Sequence, residues 1–143
     1  MQSPQPPPSI HARVRGVLTR RAGSEWLVLP AGHGRWRLPG NPIRLGESPS
    51  DCAWRSLHEQ TGIDGLSEPR LRAHVWSAPT FHGGPVTATY VFGFTVPERA
   101  EVSAGHWIAR RRAVTVLDPS ELLCVADLAD PLRVPTVDYR EHL

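Results

Sequence analysis

Lysine is absent from this chain: all 16 of its basic residues are arginine. Chemistry that needs a primary amine is thereby excluded, which removes Walker-A phosphate cradles, pyridoxal Schiff bases and the kinase lysine. Cysteine is nearly absent. Cys52 and Cys124 stand far apart without CxxC spacing, so neither a disulfide framework nor a structural zinc site is indicated, and a reduced, cytoplasmic location is expected. Long apolar runs are also missing. Stretches such as Trp26 to Leu29 and Tyr90 to Phe94 fall far short of a membrane span, and the first residues lack a secretory core, so no membrane partner is expected. Nor is there a concentrated basic stripe. The 16 arginines face 14 acidic residues, a net charge of +2 spread along the chain, which argues against duplex DNA as a partner and suits small anionic ligands.

What is present suits a single domain. With 143 residues, 40% apolar and 21% charged, the chain can bury one real core. Residues 1–9, MQSPQPPPS, carry four prolines and read as a solvated, disordered tail, leaving 10–143 as the domain. HARVRGVL and EWLVLP read as two strands about a turn at Ala22-Gly23-Ser24. A second turn at Gly32-His33-Gly34 leads into a short strand that ends at Pro39-Gly40. The period then changes. Ala53, Leu57 and Thr61, with Trp54, recur at helical spacing; Ser48 or Ser50 suits the cap, Pro49 the first turn, and Gly62 the left-handed residue after the end. Strand patterns return in LRAHVWSA and VTATYVFGFTV around the turn-rich PTFHGGP, and more weakly over 106–110. Asp118 can cap a last helix through Leu128. Strands interrupted by one strong central helix predict a mixed sheet covered by helices.

The stretch Leu38 to Ile63 reads LPGNPIRLGESPSDCAWRSLHEQTGI, and here the sequence resembles the Nudix family of hydrolases acting on a nucleoside diphosphate linked to another moiety. That family carries Gly-x5-Glu-x7-Arg-Glu-U-x-Glu-Glu-x-Gly-U, with U a bulky aliphatic. Glu47, Arg55, Leu57, Glu59, Gly62 and Ile63 match, whereas Asn41, Ser56 and Gln60 replace a Gly and two Glu. The box is degenerate. The resemblance implies an α/β/α sandwich with Glu47 to Gly62 as a loop-helix across its middle. It also implies Glu59 as a ligand of Mg²⁺ or Mn²⁺, Glu47 as a helper near metal-bound water, and Arg55 as the residue that orients the loop and the acidic side chains.

The physics of that signature does not depend on its name. Cleaving a diphosphate bond asks for a hard divalent cation, and such cations want carboxylate oxygens. Residues three and four apart share a helix face, so Glu at positions 56, 59 and 60 would converge. Here only Glu59 keeps its charge. Glu101, in the late loop where some relatives place an extra acidic ligand, is a candidate replacement, with Glu98 and Asp51 behind it. Arg37, Arg44, Phe81 and His82 are candidate substrate contacts. Pro79 lies near where the family's ADP-ribose hydrolases carry a proline, a hint of an ADP-ribose-like substrate.

Simpler readings stand beside these. Asp51, Arg55 and Glu59 at i, i+4, i+8 make an exposed salt-bridge ladder without any metal, and Glu47 suits the positive end of a helix. Trp36, Trp76, Phe81 and Trp107 are more often core than base-stacking residues, and Arg110-Arg111-Arg112 reads as a solvated edge or loop. Two functions follow as expectations. One is a metal-dependent pyrophosphohydrolase of a nucleotide-type small molecule, with a homodimer possible. The other is a catalytically weak or inactive Nudix-fold module that binds a nucleotide, RNA or protein partner.

Overall fold

The computed structural model describes residues 10–64, 69–79, 81–118, 121–122, 125 and 138–141. The expected tail, 1–9, and most of the expected last helix lie outside them. Strand β1 (Ile10–Arg20) turns back into β2 (Glu25–Gly32) and the short β3 (Arg35–Arg37). Helix α1 (Pro49–Thr61) follows, then β4 (Arg70–Ser77), β5 (Val86–Thr95), β6 (His106–Ala109), α2 (Arg110–Val116) and β7 (Asp138–Glu141). The strands form one mixed sheet in the order β3-β2-β1-β5-β4-β7, with β6 beside β2. Its centre is the parallel pairing of β1 with β5, in register from Ile10↔Val86 to Thr19↔Thr95.

Alternation along these strands sends apolar residues to both faces, as a sheet covered on two sides requires. On one face Val14, Leu18, Leu27, Phe92 and Phe94 pack against Cys52, Ala53 and Leu57 of α1. On the other, Val17, Trp26, Val28, Val75 and Val91 meet Ala113, Leu117 and Val125. The protein is therefore an α/β sandwich.

Helix α1 begins and ends as its sequence predicts. The Ser48 hydroxyl accepts from the Asp51 N–H at 3.1 Å, Pro49 opens the first turn, and Gly62 closes the helix in the left-handed region at φ 73°. Two elements differ from expectation. Arg110–Arg112, read as an edge or loop, opens α2, whose Ala113 is fully buried; three adjacent arginines mask a seven-residue helix with so few apolar positions. Strand β7 pairs in parallel with β4, and its short, charged sequence carries no strand signal.

The site depends on an irregular feature. Strand β2 pairs with β1 only at Thr19 and Arg20, and beyond β3 the chain runs along the stretch of β1 that this leaves open: the Val14 N–H donates to the Asn41 carbonyl at 3.0 Å, the Gly16 N–H to Pro39 at 2.7 Å, and the Ile43 N–H to Ala12 at 2.9 Å. Gly40 is needed there. A Cβ on Gly40 would collide with the backbone carbonyl of Val14, so the chain can come this close to β1 only where a side chain is missing.

Candidate functional site

Segment 39–47 and the face of α1 above it bring the box residues together. Arg55 of α1 extends over the loop as well as along the helix, and makes the Glu59 half of the expected ladder. Its Nε and Nη2 hold both Glu47 oxygens, at 2.8 and 3.0 Å; Nη2 also reaches the Pro42 carbonyl at 3.1 Å, and Nη1 meets Glu59 at 3.3 Å. A planar guanidinium satisfies a carboxylate in two parallel bonds, which fixes both partners. Arg55 and the Arg44 backbone N–H hold the Glu47 carboxyl down to about 2, and Glu47 raises Arg55 in turn. Glu59 is half exposed, 3.3 Å from Arg55 and 4.0 Å from Arg44.

The degenerate positions form a second group. Gln60 is held at both ends of its amide: Oε1 accepts from the Gly40 N–H at 2.8 Å, and Nε2 donates to the Gly40 carbonyl at 2.9 Å and to Asn41 Oδ1 at 3.0 Å. Asn41 Nδ2 donates onward to Ser56 Oγ at 3.2 Å. Ser56 is buried, 2% exposed, and its hydroxyl donates back to the Cys52 carbonyl at 2.7 Å. Asn41, Ser56 and Gln60 thus interlock. Each of the three replaces a signature residue, and the replacements satisfy one another's hydrogen bonds.

This donor set does not fit a resident Mg²⁺ or Mn²⁺. Hard cations are held by several oxygens, with carboxylates supplying the charge. Here the Ser56 hydroxyl is committed to its own helix, the Gln60 amide to the loop, and Glu59 faces two arginines. Among the described residues no three His, Cys, Asp or Glu groups converge as metal ligands. Glu101 is exposed in the β5–β6 loop and belongs to no such cluster with Glu47 and Glu59. Glu98 is 2.9 Å from Arg21, at the β1–β2 turn. Phe81 and His82 sit exposed in the β4–β5 loop, without a bond to the box.

Three charged groups beside the box also matter: Arg37, a candidate substrate contact from the sequence, and Arg15 and Glu121, which the sequence did not single out. Arg15, on the β1 face opposite α1, holds both oxygens of Glu121 through Nε at 2.9 Å, and Glu121 is 2% exposed. Arg37, at the end of β3, is half-buried and donates through Nη1 to the Leu38 carbonyl and to Gln60 Oε1, both at 3.4 Å. Burial lowers the Arg37 pKa from its ordinary value, Arg15 adds to the effect, and Glu121 opposes it. Period-two spacing could have placed Arg13, Arg15 and Val17 on one face; nothing local signals that a carboxylate 106 residues on would meet Arg15.

A family model described as the NUDIX domain matches residues 10–135. The chain belongs to the Nudix family. A MutT-like protein of Streptomyces ambofaciens is 37% identical over 57 residues, a stretch covering 40% of this chain and 37% of that relative. Among solved structures, the MutT protein of Methanosarcina mazei Go1 superposes with a TM-score of 0.64 at 19% identity, over 88% of this chain and 96% of that one. The C. elegans Ap4A hydrolase does so with a TM-score of 0.61 at 19% identity, over 82% and 93%. At such identity these neighbours establish the Nudix fold, a mixed sheet with flanking helices. Family members are hydrolases of nucleotide-derived substrates that generally use divalent metals, which sets the departures at Asn41, Ser56 and Gln60 in relief. Among the described residues no helix is long and apolar enough to cross a membrane.

Proposed function

We propose that this Nudix-fold protein binds a nucleotide-type small molecule and turns it over weakly or not at all, because its box no longer assembles a divalent-metal site. The interlocked Asn41–Ser56–Gln60 network carries this reading. A lone lost carboxylate leaves a hole or an unpaired polar group; three neutral side chains that complete one another make a stable alternative arrangement. What remains around it suits an anion: Arg37, Arg44 and Arg55 border the loop, offset by Glu47 and Glu59, while Arg15 behind them is paired with the buried Glu121. A cationic rim attracts phosphates through charge and through the fork geometry of guanidinium.

The test is ligand-induced stabilisation. Melting curves with ADP-ribose, nucleoside triphosphates, dinucleoside polyphosphates and nucleotide sugars, each in EDTA and in Mn²⁺, should show at least one ligand raising Tm equally in both, without product release. Stabilisation confined to Mn²⁺ and accompanied by cleavage would overturn the reading.

That outcome would favour a second one, a working hydrolase of a nucleoside diphosphate derivative. The observation on its side is the intact Glu47–Arg55–Glu59 constellation. Its signature is loss of turnover in Glu59→Gln.

A further inference from the structure

Arg37 stands apart from the other arginines of the rim. Arg15 is paired with Glu121 and Arg55 with Glu47, whereas Arg37 has no ion-pair partner among the described residues. A guanidinium carries five N–H donors, and the two bonds that Arg37 makes are long, 3.4 Å each, and both leave through Nη1. Nε and Nη2 have no protein acceptor among the described residues. Arg37 is a half-buried cation with unspent donors beside a second arginine, and Glu121, the carboxylate that offsets its charge from a distance, is already bonded to Arg15, so an anion would complete its hydrogen bonds.

The geometry points to Arg37, seated on the Gln60 amide, as the group that takes the phosphate of a nucleotide-type ligand, so that a guanidinium supplies one of the two positive charges a divalent cation would bring. This deepens the binding reading above and rests on it. Residue 60 keeps Arg37 available. The orientation of its amide is set by the 2.8 Å bond from the Gly40 N–H and the 2.9 Å bond to the Gly40 carbonyl, which leaves a neutral oxygen facing Arg37. A neutral acceptor positions the guanidinium without cancelling its charge. A carboxylate at the same place would pair with Arg37 and neutralise it, so the glutamine that removes a metal ligand also keeps the arginine available. Asn41 and Ser56 secure the arrangement from the other side by holding Gln60 Nε2 and the loop.

Isothermal titration of ADP, ADP-ribose and inorganic pyrophosphate, each in EDTA and in Mg²⁺, tests this on wild type, Arg37→Gln, Arg37→Lys and Gln60→Glu. Melting temperatures of all four proteins separate a binding defect from misfolding. Wild type should bind at least one probe with similar affinity in both conditions. Arg37→Gln should weaken it about ten- to a hundredfold in EDTA, the range for losing hydrogen bonds to a charged group. Arg37→Lys, which keeps the charge and loses the fork, should fall between, and folded Gln60→Glu should weaken binding in EDTA as Arg37→Gln does. Binding in EDTA that Arg37→Gln leaves within roughly twofold of wild type overturns the phosphate seat and leaves the nucleotide-binding reading standing. Binding that appears only with Mg²⁺ overturns the seat and supports the hydrolase. No binding of any probe in either condition overturns the nucleotide-binding reading and the seat with it.

Discussion

Replacing Gln60 with leucine, a side chain of similar volume without polar atoms, removes the centre of the neutral network. The loss can be worked from the structure. Gly40 is buried, and both its N–H and its carbonyl bond to the Gln60 amide, at 2.8 and 2.9 Å. A buried backbone group stripped of its partner costs about 1–3 kcal/mol. Two such groups, offset by the transfer gain of the leucine, give a net loss of about 2–4 kcal/mol. For a chain of this size the melting temperature should fall by roughly 4–16 °C. Chemical denaturation gives the same quantity from the shift of the midpoint at constant slope. Glu59→Gln on the same helix is the control: it removes two solvent-screened pairs, the i,i+4 contact with Arg55 and the 4.0 Å contact with Arg44, and should cost under about 1 kcal/mol. If Gln60→Leu stayed within that margin too, the network would be ornamental and the structural account of the degenerate box would fail.

Two more perturbations probe neighbouring parts of the site. Gly40→Ala drives a Cβ into the Val14 carbonyl and should cost about 2–4 kcal/mol, read in guanidinium unfolding; wild-type stability would show that segment 39–43 does not run against β1. Glu47 gives a pH signature. Its carboxyl titrates at about 2 in the folded protein against an ordinary 4.5, so its contribution is complete above 4.5 and is lost as pH falls from there towards 2. Glu47→Gln should therefore flatten the fall in stability over that window, measured by denaturation at stepped pH, and an unchanged acid limb would contradict the Arg55–Glu47 pairing.

Much of the fold was legible because its signals are local. The spacing of Ala53, Leu57 and Thr61, the serine cap and Gly62 define α1 within a residue or two, and alternation in 86–95 gives β5 its two faces. Helix α2 was hidden because it is short and starts with three arginines, and β7 because parallel pairing with β4 needs no local hydrophobic pattern. The box could be read residue by residue, including its three departures. What those departures do to one another could not. Asn41 and Gln60 lie 19 positions apart and Asn41 and Ser56 15, and only the course of the chain along β1 brings their amides and hydroxyl into contact. The Arg15–Glu121 pair is further still from any local signal, since it joins a strand to a buried carboxylate across the whole domain.

The central claim is that neutral side chains now occupy the place of a metal site. Electron paramagnetic resonance of Mn²⁺ titrated with protein measures this without substrate or turnover, because the free-ion signal disappears on binding. Wild type should leave the signal intact at sub-millimolar metal, and Ser56→Glu/Gln60→Glu combined with Arg37→Gln, which removes the guanidinium that would pair with the new carboxylate, should quench it once shown to be folded, by restoring carboxylates to one helix face. Stoichiometric quenching by the wild-type protein would contradict the account.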